Sequence, residues 1–276
     1  MSSTSVQDRC RGVLLGLAAG DRNGGPIRMA VRSAESLLEL GRFDPTDIVG
    51  RYLCWWKEGV FDTGPVSERA LELIAAGMSA SEAAARVHRE FAGKTAGCNP
   101  AHRSSPLAML ASLADKDLPV CAITEARLTH HDPLAGDVAA AVTVLCRSLI
   151  RGVAWESALQ RSAEDRLADT SEVLLSIREG PGTSGGFAPE VLRAAIYFVG
   201  SSSSFSEALE RAFAFAGPAN YCPVLVGAIA GARWGNSAIP APALAHVEIL
   251  SRVDACAHGL AAGWAGIRRD DNCPAL

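Results

Sequence analysis

The chain has 276 residues, 49% of them apolar and 20% charged, with a formal net charge of −4 at pH 7. That composition supplies a sizeable core for a globular protein, and the absence of any Lys/Arg block argues against a nucleic-acid surface. The longest apolar stretch, Pro223 to Ala232, is too short and too Gly-rich to span a bilayer, so no membrane is expected.

Residues 1–8 are polar, read as flexible, and lack the basic-then-apolar pattern of a signal peptide. The eight cysteines are scattered without a C-x-x-C pair, several of them inside apolar runs where Cys behaves as a small hydrophobe. Reduced thiols and a cytoplasmic location are the expectation, and a cysteine zinc site is not.

From the N-terminus the chain reads as helix after helix, with apolar residues recurring at i, i+3 and i+4. The run Gly12 to Ala19 is followed by Gly20-Asp21-Arg22-Asn23-Gly24-Gly25-Pro26. Its glycines let the backbone turn sharply and approach a ligand, and Asp21 leaves the helix end. A plain helix-terminal turn with solvated Asp21 and Arg22 fits the same spacing. Asp44-Pro45-Thr46-Asp47 places an N-cap, a first-turn proline and a first-turn acid. Glu58 to Pro65 follows the aromatic Tyr52, Trp55 and Trp56; its Asp62 and Thr63 read either as caps or as part of a cleft wall. Ser79-Ala80-Ser81-Glu82 is a capping box.

The segment Gly97 to Pro106 carries Asn99, His102 and Arg103 and runs into a helix opened at Ser105-Pro106. Amide, imidazole and guanidinium groups before a helix N-terminus suit an anion, although a polar turn capped by Ser105 explains the same residues. Leu128 to Pro133 contains His130-His131-Asp132. Adjacent histidines in a turn point apart, which disfavours a metal, and Asp132 reads as the cap of a helix over 134–151 that Gly152 ends. Ser204-Phe205-Ser206-Glu207 offers a further box or near variant. Gly227 to Ala232 has the small-residue spacing of a tightly packed buried helix. No segment alternates cleanly with period two, no linker or repeat is evident, and the expectation is a single compact all-α domain over 1–276 whose Gly-rich loops share a cleft.

In this order the segments resemble the ADP-ribosylglycohydrolase family, over nearly the whole chain. Cys10 to Asp21 is similar to its opening G-x-L-x-G-x-A-x-G-D, and Met29-Ala30 with Ala34 to Leu38 to its first core helix. Gly97 to Pro106 is similar to its G-N-G-x-x-x-R-x-x-P loop and Leu128-Thr129-His130 to its L-T-H element. Gly217 to Gly235, then Ile239-Pro240, resemble its C-terminal metal corner, helix and closing I-P.

The resemblance implies an orthogonal all-α domain and two Mg²⁺ ions held by an S/T-D-D-T segment and a G-G-D-x-D-T corner. Mg²⁺ demands oxygen donors in near-octahedral array. This chain departs at both places: Gly24-Gly25-Pro26-Ile27-Arg28 stands before Met29, and Pro218, Asn220 and Tyr221 stand at the late corner. No metal cofactor is therefore expected.

Two functions follow from the resemblance. One is a divergent hydrolase of an N- or O-glycosidic bond in an ADP-ribosyl or ribosyl compound, working without the two ions. The other is a non-catalytic relative that binds ADP-ribose or a nucleotide. For hydrolysis Asp21 is the first candidate carboxylate and Asp62 the second. Asn99, His102 and Arg103 would hold phosphates or ribose, and Arg28 would supply charge near a diphosphate. Arg22, Asn23, His130, Asn220 and Tyr221 complete the expected ligand contacts. Glu68, Glu125, Asp137 and Asp254 remain as further acids, and the sequence sets no oligomeric state.

Overall fold

The computed structural model describes residues 4–176 and 180–266. In chain order the helices are α1 (Val6–Gly20), α2 (Gly25–Leu40), α3 (Pro45–Lys57), α4 (Pro65–Ala75), α5 (Ala80–Glu90), α6 (Asn99–Arg103), α7 (Pro106–Met109) and α8 (Leu118–Ala126). They continue as α9 (Pro133–Ile150), α10 (Trp155–Ala163), α11 (Ala168–Leu175), α12 (Ala188–Gly200), α13 (Phe205–Ala216), α14 (Tyr221–Trp234) and α15 (Leu250–Ala262). Among the described residues no strand forms; one isolated antiparallel bridge joins Gly97 and Phe187. The expected all-α architecture is observed.

The start signals in the sequence act as caps. Asp44 accepts from the Thr46 and Asp47 amides, Ser79 and Glu82 close a reciprocal capping box, and Asp132 accepts from the Leu134 amide. At α13 the box is split: Ser204 takes the Glu207 amide, while Glu207 reaches back to Ser203 instead. The N-terminal lead differs from expectation. Ser5 caps α1 by accepting from Asp8 N at 3.0 Å, and the Asp8 carboxylate accepts from Ser237 N and Oγ. Val6 to Asp8 are thus the first turn of a helix rather than a flexible tail; residues 1–3 lie outside the described residues.

The core is organised on α1 and α14, which run antiparallel in contact. Gly12 and Gly16 face Gly231 and Gly227, and a Cβ on any of the four would collide with the opposing carbonyl. Small residues therefore let two backbones touch, which explains the Gly/Ala spacing in both runs. The consequence for the site is direct: the C-terminal end of α1, carrying Asp21, meets the N-terminal end of α14, carrying Asn220. Helix α9, of 18 residues, is apolar and long enough to cross a membrane by composition, a property the sequence reading passed over; it lies instead in the interior, with 83% of it buried. Smaller apolar clusters form around Tyr52, Trp55 and Leu71, and between α4 and α5.

Candidate functional site

Two Gly-rich loops are tied together by backbone hydrogen bonds from Cys98 N to Gly186 O at 3.0 Å and from Ala188 N to Ala96 O at 2.9 Å. They wall a cavity of about 620 Å³ with the segment from Asp62 to Ser67 and the start of α14. This volume lies in the range of small-molecule sites. Asp62, Asn99, His102, His130, Asn220 and Tyr221 all line it. The expectation that Gly-rich loops share a cleft holds for these segments, and Pro26 brings the edge of the first loop to it.

With Asp132, Asp62 is one of the two carboxylates that line this cavity among the described residues. Its backbone is left-handed, with φ of 51°, and it precedes Gly64, which caps α4 without any side-chain bond. Asp62 is therefore not a helix cap. Its Oδ2 accepts from Asn220 Nδ2 at 3.3 Å. Asp62 is an exposed residue at the cavity wall, and partial desolvation, with a smaller push from the charge of Asp21, raises its pKa above the usual value against hydrogen bonds from Asn23, Asn220 and Gly25.

Asp21, the first candidate carboxylate in the sequence, is placed differently. It is 1% exposed. Its Oδ1 accepts from Gly24 N at 2.8 Å, Asn23 N at 3.3 Å and Asn220 Nδ2 at 2.7 Å, while Oδ2 accepts from Ile27 N at 2.7 Å. Its acceptor positions are spent on the N-terminus of α2 and on Asn220. Asp21 does not line the main cavity; it touches a second one of about 280 Å³, shared with Arg22, Asn23, Arg28, Phe61 and His246.

The expected ligand set divides accordingly. Arg22 donates to the Ala219 carbonyl and lies over the Phe213 ring, and Arg28 pairs with Glu248 at 2.6 Å and lies over Phe61. Both face the smaller cavity. Arg103 faces neither. It is 0% exposed, donates from Nε to Glu125 Oε1 at 2.6 Å and from Nη1 to Asn99 Oδ1 at 2.8 Å, and sits over Tyr52. Tyr52 donates its hydroxyl to the same Glu125 oxygen at 2.8 Å.

This buried group fixes Asn99. Ser67 Oγ and Arg103 both donate to Asn99 Oδ1, so its amide NH₂ is the face left for the cavity. His102 donates from Nε2 to the Tyr221 carbonyl at 2.9 Å, and burial lowers its pKa to about 4. His130 bonds Thr129 Oγ1 through Nδ1, and burial holds its pKa well below the usual value. Both imidazoles are neutral at pH 7. The other acids raised by the sequence lie away from the cavity: Asp137 pairs with Arg166 and Asp254 with Arg11.

Sequence reasoning missed Lys94, Ser67 and Phe187, which line the cavity from turns or helix ends without a motif. Asp132 was read only as a cap; it is a cap and a wall residue at once.

The donors present do not fit a pair of Mg²⁺ ions. Asn220 turns its NH₂, a hydrogen-bond donor, toward both carboxylates, while its Oδ1 accepts from Arg22 N, so Asn220 itself offers no oxygen there to a cation. A Cβ on Gly25 would collide with the Asp62 carbonyl, so the Asp62 loop fills space that a side chain at position 25 would need. Among the described residues no group of three or more His, Cys, Asp or Glu converges. An amide proton bridge thus stands between Asp21 and Asp62.

The sequence profile of the ADP-ribosylglycohydrolase family matches residues 27–270. The ADP-ribosyl-[dinitrogen reductase] glycohydrolase of Rhodospirillum rubrum is 23% identical, the match covering 90% of this chain and 93% of that protein. A solved ADP-ribosylglycohydrolase-related protein complex has a chain 28% identical, with a TM-score of 0.76 and coverage of 94% of this chain and 99% of that one.

Proposed function

The chain belongs to the ADP-ribosylglycohydrolase family, and from that premise we propose that it is a divergent glycoside hydrolase whose working acid is Asp62 and whose reaction needs no Mg²⁺. An ADP-ribosylglycohydrolase-type hydrolase activity is what the family and its relative support. The finer reading rests on Asp62: it lines the main cavity, its pKa is raised, and Asn220 holds it against the buried Asp21 carboxylate.

In this mechanism water attacks the anomeric carbon of an N- or O-linked ribosyl group. The new C–O bond forms as the glycosidic bond breaks, the water proton passes to Asp62, and the leaving group departs with the bonding pair. Negative charge on Asp62 stabilises the oxocarbenium-like transition state, and the elevated pKa makes it a stronger base than an ordinary aspartate. Asp21 is a positioning residue: it anchors the turn and holds Asn220, which orients Asp62. Asn99 donates to sugar oxygens, with Arg103 holding its amide.

The test is hydrolysis of ADP-ribosylated arginine and serine and of nucleoside-type substrates by the intact protein and by Asp62→Asn. Loss of turnover in Asp62→Asn supports the assignment; retained turnover overturns it. A second reading, a non-catalytic ADP-ribose or nucleotide binder, draws support from the changed residues at both expected metal corners. It predicts thermal stabilisation that rises with ADP-ribose concentration together with no turnover of any substrate.

A further inference from the structure

The smaller cavity, of about 280 Å³, takes no direct part in the hydrolysis proposed for Asp62, yet its wall is charged. Arg22 and Arg28 stand there against Asp21 and Glu248, with the Phe61 ring and His246 beside them. The two acids count for less than their formal charges. Asp21 is 1% exposed, and its oxygens already accept from three amides and from Asn220. Glu248 pairs with Arg28 from a side chain that is 81% exposed. An ion pair so open to water adds little, and another anion can replace its carboxylate at small cost.

Both guanidinium groups keep donors for a ligand. Arg22 gives one nitrogen to the Ala219 carbonyl and lies over Phe213, and among the described residues no carboxylate pairs with it. Arg28 gives Nη1 to the Gly24 carbonyl and Nη2 to Glu248, and lies over Phe61. A guanidinium carries more N–H donors than these bonds use. Further along α2, Arg32 donates to the Arg28 carbonyl at 3.2 Å. Its pKa is pushed down by burial first and then by the charge of Arg252, with Arg28 adding to it against Glu58 and Glu35. Positive charge is thus crowded along this face of α2. Forked guanidinium donors are the usual means of holding an oxyanion. Here they act as side chains alone, since the Asn23, Gly24 and Ile27 amides are given to Asp21.

We propose that the smaller cavity is an oxyanion-binding site, taking a phosphate monoester or a carboxylate between Arg22 and Arg28 with its organic part against Phe61, and that the bound anion slows the reaction at Asp62. The slowing rests on the hydrolase reading; the binding does not. Arg22 is the link. Its amide donates to Asn220 Oδ1 at 3.1 Å, and its guanidinium donates to the carbonyl of Ala219, the residue before Asn220. Arg22 therefore holds the turn from which Asn220 donates to Asp62. An anion that draws the guanidinium off the Ala219 carbonyl loosens that turn and, with it, the orientation of Asp62.

The experiment is calorimetric titration of the full chain with inorganic phosphate, phenyl phosphate and benzoate at fixed ionic strength, chloride being the reference ion. Phenyl phosphate against benzoate tells which oxyanion the site takes. Phosphate can also settle at the N-termini of α4 and α14, which lack side-chain caps and border the main cavity, so variants carry the assignment. The expected result is that an oxyanion binds and that Arg22→Gln and Arg28→Gln each weaken it tenfold or more. Glu248→Gln removes the competing carboxylate and tightens it up to about fivefold, a gain that a damaged fold does not give. Initial rates on an ADP-ribosyl substrate at saturating anion should show kcat lowered several-fold with KM unchanged. Failure of every oxyanion to bind, or binding indifferent to the three substitutions, overturns the site. A rise in KM with kcat unchanged puts the anion in the main cavity and overturns it as well. The expected variant pattern with an unchanged kcat overturns the effect on Asp62 and leaves the site standing. If no substrate turns over at all, the hydrolase reading and the slowing fall together, and the titrations still decide the site.

Discussion

Asp62 adopts a left-handed backbone that few non-glycine residues take, and it does so beside Gly25, where any side chain would strike its carbonyl. Asp is among the residues that tolerate this region, so the position costs less here than it would for a β-branched residue. The raised folded pKa of Asp62 carries a stability consequence. Its contribution is fully present below the unfolded value and is lost as pH rises through the folded pKa. Ionised Asp62 therefore weakens the fold at neutral pH. Asp62→Asn is expected to raise the denaturant midpoint at pH 7 while lowering turnover by about 10²–10⁴-fold, the usual worth of a general base. Urea melts beside initial rates check both halves.

His102 works in the opposite sense. Its pKa falls to about 4 in the fold, so its stabilising contribution is present above the unfolded value and is lost as pH falls toward 4. The size is roughly 3 kcal/mol by the linkage of pKa to free energy. His102→Gln should flatten the acid limb of a stability-versus-pH curve between about pH 6.5 and 4; an unchanged slope contradicts a neutral buried imidazole.

Among elements, the caps were the most legible part of the chain, because Asp44, Ser79 and Asp132 act within four residues of their own positions. The α1–α14 contact was half legible. The Gly/Ala run in α14 announced a tight helix, but the matching Gly12 and Gly16 lie more than 200 positions away and only the fold shows that they meet. Gly16→Ala is expected to destabilise by about 1–3 kcal/mol or more through overpacking, and to disturb Asp21 and Asn220 at the same end. Chemical denaturation of the variant checks it, and a neutral result would mean that the helices can part without cost. The α6–α8 contact is held by Arg103 and Glu125, both 0% exposed. Arg103→Met leaves the Glu125 charge buried without its partner, with an expected loss of about 3–5 kcal/mol; Arg103→Met with Glu125→Gln should recover part of it.

For the whole molecule, the family and the all-α architecture were readable from five ordered motifs, since each motif is local in sequence. The division of the site was not. Arg22, Arg28 and Asp21 stand in the same short stretch as the cleft motif, yet Asn220 and the Asp62 loop close between them and the main cavity. Sequence order ranked Asp21 first because it survives in the opening motif; burial and four accepted hydrogen bonds set it apart from the main cavity, and for that reason the proposal gives the chemistry to Asp62. Lys94, Ser67 and Phe187 belong to no motif and join the site only through the packing of turns. The molecule thus keeps the family's frame, and the Asp21 turn and the Asp62 loop are joined by an amide, Asn220, which the proposed mechanism puts in the place of a cation.

That substitution is tested most directly by the metal dependence of turnover. Steady-state hydrolysis of the ADP-ribosyl and ribosyl substrates is measured for the intact protein and for Asp62→Asn, in EDTA and again in excess Mg²⁺. The account predicts equal rates in the two buffers for the intact protein and loss of activity in the variant. Activity that appears only with Mg²⁺, or that survives Asp62→Asn, would contradict it.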